Sequence, residues 1–284
     1  MKLAVVALIA VPIALAATPQ QTVFRSITDL VSIDASVIEG KRAITTLARE
    51  DFVLRDNGVE QQILDFGREQ MPLDISFSID ISGSVNAAQR RTIEAAIAQV
   101  GATLHPDDRC RVLTFTNHIA QESPLRPPPL SVTLPTRPSG GTSILDALLL
   151  SLVAAPLPDR RQLHIMMTDG FDTTSFFDDA VVMDTMKFTT GQTTVVLVKG
   201  GAGADPQSMK LLSAVTATSG GQIIELGRGD ELNKAFMVAL EAFRTSYVLR
   251  YTPVGVPQTG WHTVTVTTKN PKQQVRARQG YWVR

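Results

Sequence analysis

Residues 73–85 read LDISFSIDISGSV, a strand that runs into a hydroxyl-rich turn. Leu73, Ile75, Phe77 and Ile79 alternate with Asp74, Ser76, Ser78 and Asp80, and that period of two is the signature of a strand. Asp80, Ser82 and Ser84 then place one carboxylate and two hydroxyls on alternate residues, while Gly83 lets the backbone turn sharply. Three hard oxygen donors within five residues suit a divalent cation such as Mg²⁺ or Ca²⁺. Nothing else in the chain concentrates chemistry this way.

Two later stretches extend the pattern. Ser139-Gly140-Gly141-Thr142-Ser143 reads as a flexible loop carrying hydroxyls at the mouth of a helix, and Leu163 to Met167 is an apolar strand ending in Thr168-Asp169-Gly170. With these residues in place, the sequence resembles the von Willebrand factor type A domain. The metal-ion-dependent adhesion site of that family has the pattern Asp-x-Ser-x-Ser, then Thr, then Asp. Asp80, Ser82, Ser84, Thr142 and Asp169 match it position by position, and the resemblance covers residues 72–245. Asp-x-Ser-x-Ser by itself would carry little, because Ser and Asp are frequent in ordinary turns.

The resemblance implies an α/β fold, a doubly wound, mostly parallel, Rossmann-like sheet flanked by helices. It also implies that the hydroxyls of Ser82, Ser84 and Thr142 ligate Mg²⁺ (or Mn²⁺ or Ca²⁺), with Asp80 and Asp169 acting largely through water or as acceptors behind the ligands. Neutral hydroxyls leave such a cation under-neutralised, so a carboxylate from a protein partner can complete its shell.

Composition bounds the rest. At 284 residues the chain can hold one large domain or two modest ones, and 44% hydrophobic with 19% charged residues can bury a core. Lys plus Arg equals Asp plus Glu, 27 each, so no global field recruits nucleic acid or an anionic membrane. Residues 1–17 have the form of a signal peptide: Lys2, an apolar run from Leu3 to Leu15, and Ala14-Leu15-Ala16 as a small-x-small cleavage site. That run is too short to favour a membrane span, so a secreted, periplasmic or envelope location with no integral span after cleavage is expected. Cys110 is the only cysteine, which excludes an intrachain disulfide; it reads as a small buried hydrophobe.

Along the chain, residues 18–70 read as a β-segment, with Asp56-Asn57-Gly58 between apolar runs (Phe52 to Leu54 and Val59 to Phe66) marking a hairpin. Residues 71–245 alternate strands with helices, which argues for a parallel sheet. Helices are expected over 86–104, 144–153, 178–188, 206–218 and 230–245, and further strands over 111–115, 162–167, 193–199 and 222–226. Residues 124–138 hold six prolines and read as an extended loop with a P-x-x-P match at Pro124 to Pro127; Gly200 to Gly203 lacks the residues of a phosphate loop and reads as a connection. Residues 246–284 return to alternating β-runs at 247–251, 262–268 and 274–283. Each flanking β-segment is short for a stable sheet, so the two are expected to pair as a β-sandwich-like module into which the α/β domain is inserted. This order, with Asp51 to Leu54 near the start and Arg276 to Tyr281 near the end, also resembles bacterial exported von Willebrand A-related proteins.

Alternatives remain for the site. Ser82 and Ser84 could cap the next helix, with Asp80 and Asp169 at ordinary strand ends. Asp146, in a helix's first turn, is explained by the helix dipole, and it and Asp172 are left off the ligand set. His105, His118, His164 and His262 are scattered, and no Gly-x-Ser-x-Gly elbow is present, so catalysis is not expected. The reading is therefore a non-enzymatic, metal-dependent protein-binding module. Its competitors are a phosphate-ester hydrolase with Asp80 as nucleophile, which would want a second Asp where Ser82 stands, and an architectural envelope subunit.

Overall fold

The computed structural model describes residues 30–68, 71–83, 85–136, 140–153, 157, 159–198, 204–227 and 231–284. The expected signal peptide, Ser84, Ser139 and the Gly200 to Gly203 connection lie outside the described residues. The chain opens with β1 (Val31–Glu39), β2 (Arg42–Ala43), β3 (Phe52–Asp56), β4 (Val59–Gln61) and β5 (Asp65–Gly67). Then come β6 (Leu73–Asp80), α1 (Ala87–Thr103), β7 (Arg109–Phe115), β8 (Ile119–Arg126), α2 (Ile144–Leu152), β9 (Arg161–Thr168), α3 (Asp179–Met186), β10 (Gln192–Val198), α4 (Pro206–Ser219), β11 (Ile223–Leu226) and α5 (Leu232–Arg244). Strands β12 (Tyr247–Tyr251), β13 (Gly260–Thr268), β14 (Gln273–Ala277) and β15 (Gly280–Val283) close it.

The middle of the chain is an α/β layer. Its sheet runs β11-β10-β9-β6-β7-β8, with every neighbouring pair parallel except β7 and β8. Strand β6 lies at its centre. Leu73, Ile75, Phe77 and Ile79 enter a core with α1 and α5, whereas Met166 and Val195 enter a second core with α2, α3 and α4. Helices therefore cover both faces, and β6 is buried on both. Ser78, one of the serines that alternate in β6, meets a helix rather than solvent, its Oγ 2.9 Å from Ser151 Oγ of α2. Parallel strands leave all their carboxyl ends on one edge, where ligand crevices form in such sheets.

The Pro-rich stretch is a correction. Pro124 belongs to β8, an edge strand that runs antiparallel to β7 with register shifts between Cys110 and Leu113. An edge strand tolerates proline because its missing N–H can face away from the ladder. Cys110 itself is buried.

Two smaller sheets join the chain's beginning to its end. One runs β14-β1-β12-β5, with β2 on β1, and the other β15-β13-β3-β4. Strand β1 sits between closing strands, Val31 opposite Tyr251 and Ala35 opposite Ala277. Ile33, Leu54, Leu249, Tyr251 and Val264 fill one core between these sheets. The Asn57-Gly58 turn has both residues at positive φ, the geometry of a tight hairpin between β3 and β4. Two runs that read as single strands are each split between the sheets: Val59 to Phe66 becomes β4 and β5, and Gln274 to Val283 becomes β14 and β15. The second break rests against α4, where Gln279 N donates to Thr218 O at 2.9 Å.

Candidate metal centre

Asp80 ends β6, and Asp169 follows directly on β9, the neighbouring strand. The tips of both strands therefore fall together on the carboxyl edge of the sheet. Asp80 is buried, and both its oxygens are engaged: Ser82 N donates to Oδ1 at 2.9 Å and Thr168 Oγ1 donates to Oδ2 at 2.9 Å. The Ser82 side chain also bonds to Asp80. Burial pushes the Asp80 carboxyl above the usual range, opposed by the bonds from Ser82 and Thr168 and assisted by the negative charge of Asp169.

Thr142 reaches the same edge from the loop before α2. Its backbone is clasped by the segment after Asp169: Thr142 N donates to Thr173 Oγ1 at 2.7 Å, and Thr142 O accepts from Thr173 N at 2.9 Å and Thr174 N at 3.1 Å. The Gly140-Gly141 pair makes this clasp possible. Gly140 has φ +93°, which L side chains rarely adopt, and a Cβ on Gly141 would fall 2.3 Å from Thr173 Oγ1. The described part of this loop is thus packed, with Thr142 and Ser143 both buried. Long-range backbone contacts hold it, and composition does not report them.

The capping alternative is answered for Ser82. Helix α1 is capped by Asn86, whose side chain accepts from Ala88 N and Gln89 N while Gln89 reaches back to Asn86 N. The Ser82 hydroxyl is turned to Asp80 instead. Of the five residues in the motif, Asp80, Ser82 and Asp169 lie on or just beyond two adjoining strand tips, Thr142 is held through its backbone by the segment after Asp169, and Ser84 lies outside the described residues.

Several neighbours matter that the motif does not name. Thr168 links the two tips, since it bonds Asp80 and also accepts from Gly170 N at 3.1 Å; its place beside Asp169 was the available signal. Asp172 accepts from Ile144 N at 2.7 Å and from Ser175 Oγ at 2.5 Å. Asp146 accepts from Phe176 N and Phe177 N at 3.0 and 3.1 Å. These two carboxylates brace the loop between β9 and α3 against the start of α2. On that braced loop Phe171, Phe176 and Phe177 are exposed, Phe176 by 86%.

The donor set is one of carboxylate and hydroxyl oxygens, which fits a hard cation such as Mg²⁺. Among the described residues no group of three or more His, Cys, Asp or Glu that could hold a metal ion is clustered. No protein-family model matches the sequence, and no curated protein matches it. Solved structures do resemble it. The conserved hypothetical protein BatB from Bacteroides thetaiotaomicron is 14% identical over 60% of this chain and 98% of its own, with TM-score 0.45. A von Willebrand factor type A protein from Catenulispora acidiphila is 11% identical over 92% of this chain and 76% of its own, with TM-score 0.46. The ArnB paralog VWA2 from Sulfolobus acidocaldarius is 10% identical over 88% and 76%, with TM-score 0.46. Likenesses this distant assign no residue a role, and the site stands on its own geometry. Von Willebrand factor type A proteins are what this chain is similar to, in its motif and among solved structures.

Proposed function

We propose that the chain is an exported, non-enzymatic protein-binding module, built on a doubly wound α/β sheet, that captures an acidic side chain of a partner through a divalent cation. One observation carries this reading. Asp80 is buried at the tip of β6 and faces the charge of Asp169, and the groups that bond it are the neutral Ser82 N–H, Ser82 hydroxyl and Thr168 hydroxyl. Two carboxylates at one edge repel each other, and a positive charge between them would relieve that repulsion. Mg²⁺, or Mn²⁺ or Ca²⁺ in its place, would supply that charge and a Lewis-acidic position for a carboxylate oxygen. Ser82, Thr142 and Ser84 are the hydroxyls proposed to hold it, with Asp80 and Asp169 behind them. Thr168 fixes the Asp80 carboxylate, and the Asp172 and Asp146 braces hold the loop that carries the exposed phenylalanines. Exposed aromatics beside a charged centre are common anchors at protein interfaces.

Residues 1–17 have the composition expected of a signal peptide, which supports export, and no helix among the described residues is long and apolar enough to cross a membrane. The test is capture of a partner from envelope extract with Mg²⁺ or Mn²⁺ and again with chelator. Metal-dependent capture that Thr142→Ala abolishes supports the module; capture that persists in chelator refutes the mechanism.

A further inference from the structure

The loop between β9 and α3 sets three phenylalanines in solvent, Phe171 by 44%, Phe176 by 86% and Phe177 by 40%. Its backbone is not free to tuck them away. Phe171 N donates to Asp169 Oδ1 at 3.2 Å, and Thr173 N and Thr174 N donate to Thr142 O. Ser175 N donates to Asp172 Oδ1 at 3.2 Å, and Phe176 N and Phe177 N donate to Asp146 Oδ1 at 3.0 and 3.1 Å. Every amide from 173 to 177 is thus anchored. The rings of Phe176 and Phe177 meet edge to face, 5.2 Å apart at 90°. Aromatic rings held out in water on a fixed backbone lose little freedom when a partner covers them, which is how an interaction surface differs from a loose loop.

The rings share their anchors with the proposed cation site, since Thr142 and Asp169 belong to both. Thr142 and Asp146 are four positions apart, at most about 14 Å of chain, and Phe176 N lies 3.0 Å from the Asp146 carboxylate. An extended partner advances about 3.3 Å per residue, so about four of its residues cover that span. The charge around the rings limits what the partner can carry. Residues 169–183 include Asp169, Asp172, Asp178 and Asp179 and no Lys or Arg. One carboxylate placed on the cation is tolerated there, whereas further acid is repelled and Lys or Arg is attracted. The same charge turns away an anionic lipid surface, which leaves a protein segment as the occupant.

We propose that the partner segment carries a single Asp or Glu for the cation, a large apolar residue within about four positions of it that packs on Phe176 and Phe177, and basic rather than acidic neighbours. This deepens the cation-capture reading above and rests on it. The cation takes any exposed carboxylate; the rings decide which one stays.

A phage-displayed library of random dodecapeptides, panned on the full chain in Mg²⁺, tests this without presupposing the partner. Peptides enriched on the wild type should share an acid, an apolar residue within that spacing and Lys or Arg nearby. Panning on Phe176→Ser should keep the acid and lose the apolar position. Calorimetry with the strongest peptide should show affinity about tenfold lower for Phe176→Ser, and as much lower when the peptide's apolar residue becomes Ala. Phe176→Ser should melt with the wild type, because the ring is already 86% exposed. Acidic peptides with no apolar position, or equal affinity for the wild type and Phe176→Ser, would overturn the inference and leave the cation site standing. Peptides that stay bound in chelator would overturn cation capture and this inference with it. No enriched peptide, or self-association or phosphatidylcholine-vesicle binding that Phe176→Ser abolishes, would give the rings another occupant or none and overturn it as well.

Discussion

Thr168 and Asp80 join the tips of two adjacent parallel strands through a single side-chain hydrogen bond of 2.9 Å. Both groups are buried, so neither can exchange its partner for bulk water. The bond fixes the Asp80 carboxylate in one orientation, with its other oxygen on Ser82 N.

Thr168→Val keeps the shape of the side chain but leaves Asp80 Oδ2 and Gly170 N without their partner. An unsatisfied buried group costs about 1–3 kcal/mol. Thermal unfolding should therefore show Tm lowered by about 4–8 °C, while Thr168→Ser should lose less. A valine variant as stable as the wild type would show that the bond carries no weight.

Arg161 connects the α/β layer to the flanking sheets. Its Nη2 lies 2.8 Å from Asp34 Oδ1 of β1, and it also bonds Phe243 O and Ser246 Oγ and stacks over the Phe243 ring at 4.2 Å. Arg161→Met should cost about 3 kcal/mol, because Asp34 loses the one arginine that bonds it and keeps only the weaker charges of Arg278 and Arg250. Adding Asp34→Leu should return part of that loss, since the carboxylate that lost its bonded cation is then gone, although buried Arg278 loses the same counter-charge. Urea unfolding of the single and double variants checks this, and strictly additive losses would contradict the pairing.

Asp74 sets a pH dependence. Burial would raise its carboxyl, but the hydrogen bonds and charges of Arg109 and Arg160, both at 2.6 Å, outweigh that and hold it below the usual 3.8. A folded-state value below the unfolded one gives stability that is fully present above about pH 4 and is lost as pH falls further, through the folded value. Urea midpoints should thus drop from pH 5 to pH 3, and Asp74→Asn should flatten that drop while costing about 2 kcal/mol at pH 7. An unchanged slope in the variant would assign the acid sensitivity elsewhere.

Deleting residues 247–284 removes β12 and β14, the two strands that flank β1 along its length, and β13, which pairs β3. The remaining edges would be long, apolar and unpaired, and the truncated chain should aggregate. A monodisperse, cooperatively melting 23–245 fragment in size-exclusion and calorimetry runs would count against this.

Local patterns in the sequence were readable where local physics governs. The β6 alternation, the Asn57-Gly58 turn and the apolar face of α1 at Ile93, Ala96, Ile97 and Val100 each depend on residues a few positions apart. Features set by distant partners were not. Pro124 sits in a strand because β7 offers it an edge, and β14 parts from β15 because two sheets compete for one run. At the site, the spacing of Asp80, Ser82 and Asp169 was visible from the strand ends. The carboxylates of Asp146 and Asp172, by contrast, brace a loop that is adjacent only in space. Dipole reasoning about Asp146 was sufficient for its helix and silent about Phe176.

The central claim is that Asp80, Ser82, Ser84, Thr142 and Asp169 form one cation site. Calorimetric titration of Mg²⁺ or Mn²⁺ into wild type, Thr142→Ala and Asp169→Ala tests it most directly. Both variants should still melt cooperatively, because the core strands do not depend on the ion. Metal affinity should fall about 10–100-fold in each, the usual consequence of losing a ligand or the group that orients it. Equal affinity in all three proteins would contradict the account.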